Sequence, residues 1–266
     1  RGVVGGNSVF PRGGGFGVNS KYHQAAGLHY TTEEVFRCIM EYSHWRGNAE
    51  LARTFVEGAD ETIAWLEGLG VRFRTVPPAY IKMAKYATGV PLDGTGADVV
   101  TVLKGRCQDM GIPIRLHSQV KHLVVRDGAV CGVTLDGPEE EEIIEAGAVV
   151  VATGGFADNP EMVRRYSGGL ELGKTVFPMF KMDFQGDGIQ MAWEAGAASD
   201  GLGLQLVYSV PGTKKLSYGL PGLQGEPLLL VNTLGQRFFD ESDGNGPYKG
   251  NALARQPGGY GVLIFD

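Results

Sequence analysis

The sequence lacks the usual signatures of several functional classes. In its 266 residues no G-x-G-x-x-G precedes a helix, no nucleophile elbow is present, and no Ser/His/Asp ordering stands out. Cysteine is scarce: Cys38, Cys107 and Cys131 are odd in number and widely spaced, which argues against a disulfide framework and against zinc. His23, His29 and His44 have no metal-ligand spacing, and His117 and His122 alternate with apolar residues near a strand, so no metal is expected. Basic residues are outnumbered, 24 Lys and Arg against 30 Asp and Glu, and a net charge of -6 leaves no footprint for nucleic acid. No apolar run reaches the ~18 residues of a membrane span. There is no legible secretory signal, which favours a cytoplasmic location, and no initiator Met, since the chain starts at Arg1.

Glycine is in excess. The 42 glycines amount to roughly twice the ordinary usage of about 7%, and they fall in clusters rather than in a low-complexity tract. One cluster joins Gly5-Gly6-Asn7-Ser8 to Gly13-Gly14-Gly15-Phe16-Gly17; the others are Thr153-Gly154-Gly155 and Gly186-Asp187-Gly188. A pyrophosphate needs backbone N–H donors at close range, where a β-carbon would obstruct them. Taken singly, each double glycine reads first as a plain turn. Their order among the secondary elements is more informative.

Thr31 and Glu34 form a capping-box pattern that opens a helix over 31–45. Asn48 caps a second over 49–69, closed by Gly70. Gly94-Thr95-Gly96-Ala97 leads into a helix running to about Met110, and Ile112 to Leu116 reads as a short strand. Residues 120–126, 130–135 and 142–146 read as an antiparallel meander, its first turn signalled by Asp127-Gly128. The continuous apolar run Ala148 to Ala152 has the pattern of a parallel-sheet strand covered on both faces. Helices over 160–166 and 189–195 follow, and strands at 228–231 and 261–265 close the chain. The fold class is therefore α/β with α+β elements.

In this order the features resemble the fumarate reductase/succinate dehydrogenase flavoprotein superfamily, a glutathione-reductase-like FAD fold with an inserted capping domain. Gly5-Gly6-Asn7-Ser8 is similar to the loop that follows the family's dinucleotide turn, and Gly13, Gly14 and Gly15 to the stretch lying against the flavin. Ala152-Thr153-Gly154-Gly155-Phe156 is similar to the strand end beside the FAD, and Gln185-Gly186-Asp187-Gly188 to the turn near the isoalloxazine. Asn232 through Gly235-Gln236-Arg237-Phe238 to Glu241 resembles the cap motif N-x-x-G-x-R-F-x-x-E.

The resemblance implies FAD as cofactor, with contacts from all these loop residues and from Val120 at the start of the meander. It implies an incomplete FAD-binding domain over 1–206 and the start of a capping domain over 207–266. The dinucleotide turn would then lie outside the chain, which is expected to be an internal piece of a longer flavoprotein. On its own that piece is expected to hold FAD weakly and to be inactive.

The activity implied is oxidoreduction of a C–C bond next to a carbonyl or carboxylate, on an unsaturated acid or ketone, with an electron-transfer partner. The sequence departs from the fumarate-type proton path. The donor Arg falls at Asn245 or Gly246, the cap His near Val207, and the Glu/Arg pair near Pro221 and Gln224; no Arg occurs from Glu241 to Ala254. Tyr248, after Arg237-Phe238-Phe239-Asp240-Glu241-Ser242, resembles the acid–base Tyr of the ketosteroid dehydrogenase branch, with Tyr208 and Tyr218 as weaker candidates. An alternative from another class is a non-catalytic flavin-binding or interaction module.

Overall fold

The computed structural model describes all residues except 1, 10–13, 78–85, 137–140, 175, 177–182, 203–227, 242–245 and 266. The chain divides into two compact units, 1–118 and 119–266. The expected boundary at 206 lies outside the described residues.

In the first unit, α1 (Lys21–Gln24), α2 (Thr32–Tyr42), α3 (Ala49–Glu57), α4 (Ala59–Gly68) and α5 (Gly96–Asp109) accompany a ribbon of β1 (Gly14–Phe16) and β2 (Gly89–Pro91). The cap signals hold. The Thr31 side chain accepts the Glu34 N–H while Glu34 accepts the Thr31 N–H, and Asn48 Oδ1 accepts the Leu51 N–H at 3.0 Å. Each such cap contributes about 1 kcal/mol. The helix expected over 49–69 is broken at Gly58, a residue of low helical preference in the middle of the run. The helix expected to reach 45 stops at Tyr42, because His44 and Trp45 turn into the left-handed region.

Val18, Val35, Phe36, Met40, Val56 and Ala59 form one core, and Ile63, Val71, Phe73, Val90 and Leu92 a second. His23 is fully buried beside the first. Its Nε2 donates to the Ala87 carbonyl at 3.0 Å, so Nδ1 is the lone-pair nitrogen that accepts from Ser20 Oγ at 2.8 Å. Burial favours the neutral ring. Asp60 accepts the Val18 and Asn19 N–H groups, both at 2.9 Å, and so pins the chain leaving β1.

In the second unit β3 (Val120–Arg126), β4 (Ala129–Leu135) and β5 (Glu142–Glu145) form the expected antiparallel meander. Asp127 and Gly128 both take positive φ, the signature of the two-residue hairpin turn. Helices α6 (Pro160–Tyr166) and α7 (Asp187–Glu194) pack around Phe156, Met162, Val163 and Leu170. Strands β6 (Leu228–Asn232) and β7 (Gly261–Phe265) pair antiparallel, with α8 (Gly246–Ala254) between them in sequence.

Two expected strands are corrected. Neither Ile112–Leu116 nor the apolar run Ala148–Thr153 makes a ladder, and the named strand pairs among the described residues are all antiparallel. An apolar run reports a need for cover but does not supply a partner. Val150 is 89% exposed where burial on both faces was expected. Among the described residues no helix is long and apolar enough to cross a membrane.

Burial holds the His23 pKa below its ordinary value, against opposing contributions from the Ala87 hydrogen bond and the Asp60 charge. The unfolded chain therefore takes up the proton first, and stability present above about pH 6.5 declines as pH falls toward the folded value. The thermal midpoint should drop between about pH 7 and about pH 5, and His23→Gln should flatten that slope. Equal slopes in the two proteins would contradict a buried neutral His23.

Candidate cofactor site

The run after β5 and the turn before α7 meet within the second unit. Asp158 N donates to the Phe184 carbonyl and Phe184 N to Asp158 Oδ2, both at 3.0 Å. Asn159 Oδ1 accepts the Glu161 and Met162 N–H groups at 3.1 Å, capping α6, while its Nδ2 donates to the Gln185 carbonyl at 2.9 Å. Pro160 at the first helical position needs no N–H partner. These two side chains latch the segment 156–160 to the segment 183–186.

Close to the latch, α7 approaches residues 151–153. A β-carbon on Gly188 would lie 2.1 Å from Thr153 Oγ1 and 2.5 Å from Val151 Cγ1. Gly188 is buried, and α7 can lie this close to the Val151 and Thr153 side chains because that position is glycine. Gly186 is the N-cap in the left-handed region, and Asp187 is the first helical residue. The Asp187 carboxylate complements the helix dipole from the first turn.

Gly155 differs from its neighbours. Nothing in the described chain comes within 4 Å of where its β-carbon would be, and its φ lies outside the left-handed region. Residues 152–155 are all exposed. Neither packing nor backbone strain accounts for glycine at 155, which fits a backbone reserved for the close approach of a ligand. Val120 is half-buried at the start of β3, paired with Leu135, and His122 of the same strand meets Glu194 of α7 at 2.9 Å.

The N-terminal cluster belongs to the first unit. Gly6–Val9 forms a 3-10 turn with Asn7 and Ser8 exposed. Gly14 and Gly15 lie in β1, and a β-carbon on Gly14 would fall 1.8 Å from the Val90 carbonyl oxygen, so its glycine serves the β1–β2 pairing. Gly13 and Tyr208 lie outside the described residues.

The cap motif is internally bonded. Arg237 donates through Nε and Nη2 to Glu241 Oε2, at 2.9 and 2.6 Å, and Glu241 Oε1 accepts the Leu230 N–H at 2.6 Å. The Arg237 hydrogen bonds, helped by Leu230, hold the Glu241 carboxyl well down at about 2. Arg237 thus orders the loop. Tyr248 is half-buried on α8. Of the cations near it in sequence, Lys249 lies 5.8 Å from the Phe239 ring centroid and Arg255 donates to the Asn251 carbonyl at 3.1 Å.

Sequence reasoning missed Asp158 and His23 as structural polar groups, because their partners lie 26 and 64 residues away. Asn159 before Pro160 carried a legible cap signal, though not its bond to Gln185.

The chain belongs to the FAD binding domain family, which matches residues 1–258, and to the fumarate reductase/succinate dehydrogenase flavoprotein superfamily within it. FAD is the cofactor of that family. The chain is 28% identical to a vinyl phenol reductase of Lactiplantibacillus plantarum, over 98% of this chain and 54% of that protein. It is 30% identical to a 3-oxosteroid 1-dehydrogenase of Mycobacterium tuberculosis, over 59% of this chain and 29% of that one. The open form of a flavocytochrome c3 fumarate reductase superposes with a TM-score of 0.75 at 27% identity, over 98% of this chain and 46% of that one. The chain therefore spans about half the length of the vinyl phenol reductase and the flavocytochrome it matches.

Gly188→Ala should lower unfolding stability by about 1–3 kcal/mol through overpacking, whereas Gly155→Ala should leave it unchanged. Denaturant midpoints check this, and equal stability losses would contradict the packing described.

Proposed function

We propose that the protein carrying this chain is an FAD-dependent oxidoreductase that reduces or desaturates a C–C bond next to a carbonyl or carboxylate. The observation that carries this reading is the open backbone at 152–155, with a glycine at 155 that the fold does not require, in a chain of an FAD-binding family. Bound FAD supplies two-electron chemistry at carbon. The chain's own residues position it: the backbone of Thr153, Gly154 and Gly155, the α7 turn at Gly186, Asp187 and Gly188, and Val120 of the same unit. Residues to 206 form the flavin-binding part and 207–266 begin the substrate cap. The substrate is an unsaturated acid or ketone, and a separate electron-transfer partner exchanges electrons with the enzyme.

A general acid or base must still move a proton at the substrate carbon. The stretch from Glu241 to Ala254 holds no Arg, and Tyr248 is its half-buried phenol. We assign the proton to Tyr248 Oη, with Tyr208 as the comparison residue. This favours a second, narrower reading, a 3-ketosteroid-dehydrogenase-like enzyme, to which the similarity to a 3-oxosteroid 1-dehydrogenase lends support. A phenol titrates near 10 when unperturbed, so work as a base near neutrality requires stabilisation of the phenolate.

In the full-length, flavin-loaded protein, Tyr248→Phe should lower turnover by about 10²–10⁴-fold with flavin content unchanged, and Tyr208→Phe should not. Unchanged turnover in Tyr248→Phe would remove the Tyr mechanism. Absence of substrate-dependent flavin bleaching in the wild type would instead favour a binding module. Gly155→Ala should weaken FAD binding, measured by fluorescence titration of stripped protein; Gly147→Ala, equally open but outside the run, should not.

A further inference from the structure

Asn232 is 5% exposed and ends β6. Its Oδ1 accepts the Leu234 N–H at 2.9 Å and the Gln236 N–H at 3.0 Å, which closes the turn at 232–236. A carboxylate would serve that turn equally well. The amide does more: Nδ2 donates to Gln236 Oε1 and to Gln256 Oε1, both at 3.2 Å. Gln256, two residues beyond α8, uses its other end to donate to the Ala252 carbonyl of α8 at 3.0 Å. A chain of two amides therefore joins the end of β6 to the last turn of α8.

A second observation concerns the same junction. Gly261 of β7 pairs with Asn232. A β-carbon there would lie 2.8 Å from the Val231 carbonyl oxygen, 3.2 Å from Phe238 Cε1 and 3.3 Å from Leu253 Cδ1. The motif ring Phe238 and the α8 residue Leu253 thus both lie close over Gly261. That close approach brings α8 near the ribbon, and the amide chain ties its last turn to the end of β6.

We propose that Asn232 and Gln256 form a clasp that registers α8, and with it Tyr248, on the β6–β7 ribbon, so that Asn232 is a positioning residue for the proton-transfer step. The kinetic part rests on the Tyr248 reading above. Asn232→Asp keeps the acceptor that closes the turn and removes the donor that forms the clasp. Turning the Gln256 amide over to serve the carboxylate would set its oxygen against the Ala252 carbonyl. Gln256→Leu cuts the same link while sparing the turn.

In the full-length, flavin-loaded protein both variants should lower turnover on the order of 10²-fold, the usual effect of misplacing a catalytic group by about 1 Å. Flavin content should stay unchanged. In a Tyr248→Phe background neither variant should cause further loss, a result that a general structural role would not produce. Amide hydrogen exchange should quicken across 246–256 and stay unchanged across 129–135. Wild-type turnover in both variants, or the same fold-loss with and without Tyr248, would overturn the proposal. If Tyr248→Phe alone has full turnover, the Tyr248 reading fails, and exchange across 246–256 still decides the clasp: unaltered exchange there would refute it.

Discussion

The second unit depends on the close approach of Gly188 to the side chains of Thr153 and Val151. Helix α7 begins with no room for a side chain between itself and residues 151–153, a separation of 2.1 Å from the would-be β-carbon to Thr153 Oγ1. That contact puts the first turn of α7 beside the open run 152–155. It is maintained from the other side by Asp158 and Asn159, whose hydrogen bonds to Phe184 and Gln185 hold the two segments in register. Glycine at 188 is therefore a packing requirement, and glycine at 155 is an opening. The two have the same composition and opposite physical reasons.

The segment 228–241 follows a different logic. Among its described residues polar side chains fix its course. Glu241 is held by Arg237 and by the Leu230 N–H, and Asn232 by four hydrogen bonds of its own. Exposed ion pairs contribute little stability by themselves. The value of this network lies in direction: each bond to a backbone N–H fixes where the next stretch of chain must go.

Local chemistry was legible in the sequence. Thr31 and Glu34 signalled a capping box, Asn48 a helix N-cap, and Asp127-Gly128 a hairpin turn; each depends on residues within a few positions of each other. Long-range partners were not legible. Nothing near His23 in sequence points to the Ala87 carbonyl, and nothing near Asp158 points to Phe184. The apolar runs at 112–116 and 148–153 show the limit of pattern reading. Hydrophobicity states what a segment would bury, while strand pairing depends on another backbone being present. The glycine clusters were found from composition, but only coordinates separated those that let the chain pack on itself from the one that leaves space.

The central claim is that FAD lies against the open backbone of residues 152–155 beside the first turn of α7. Amide hydrogen exchange of the full-length protein, compared between its stripped and FAD-loaded forms, tests it most directly. The account predicts slowed exchange at Thr153, Gly154 and Gly155 and at Asp187 and Gly188 on loading, with the β4 amides unchanged. Exchange at 153–155 that is the same in both forms would contradict it.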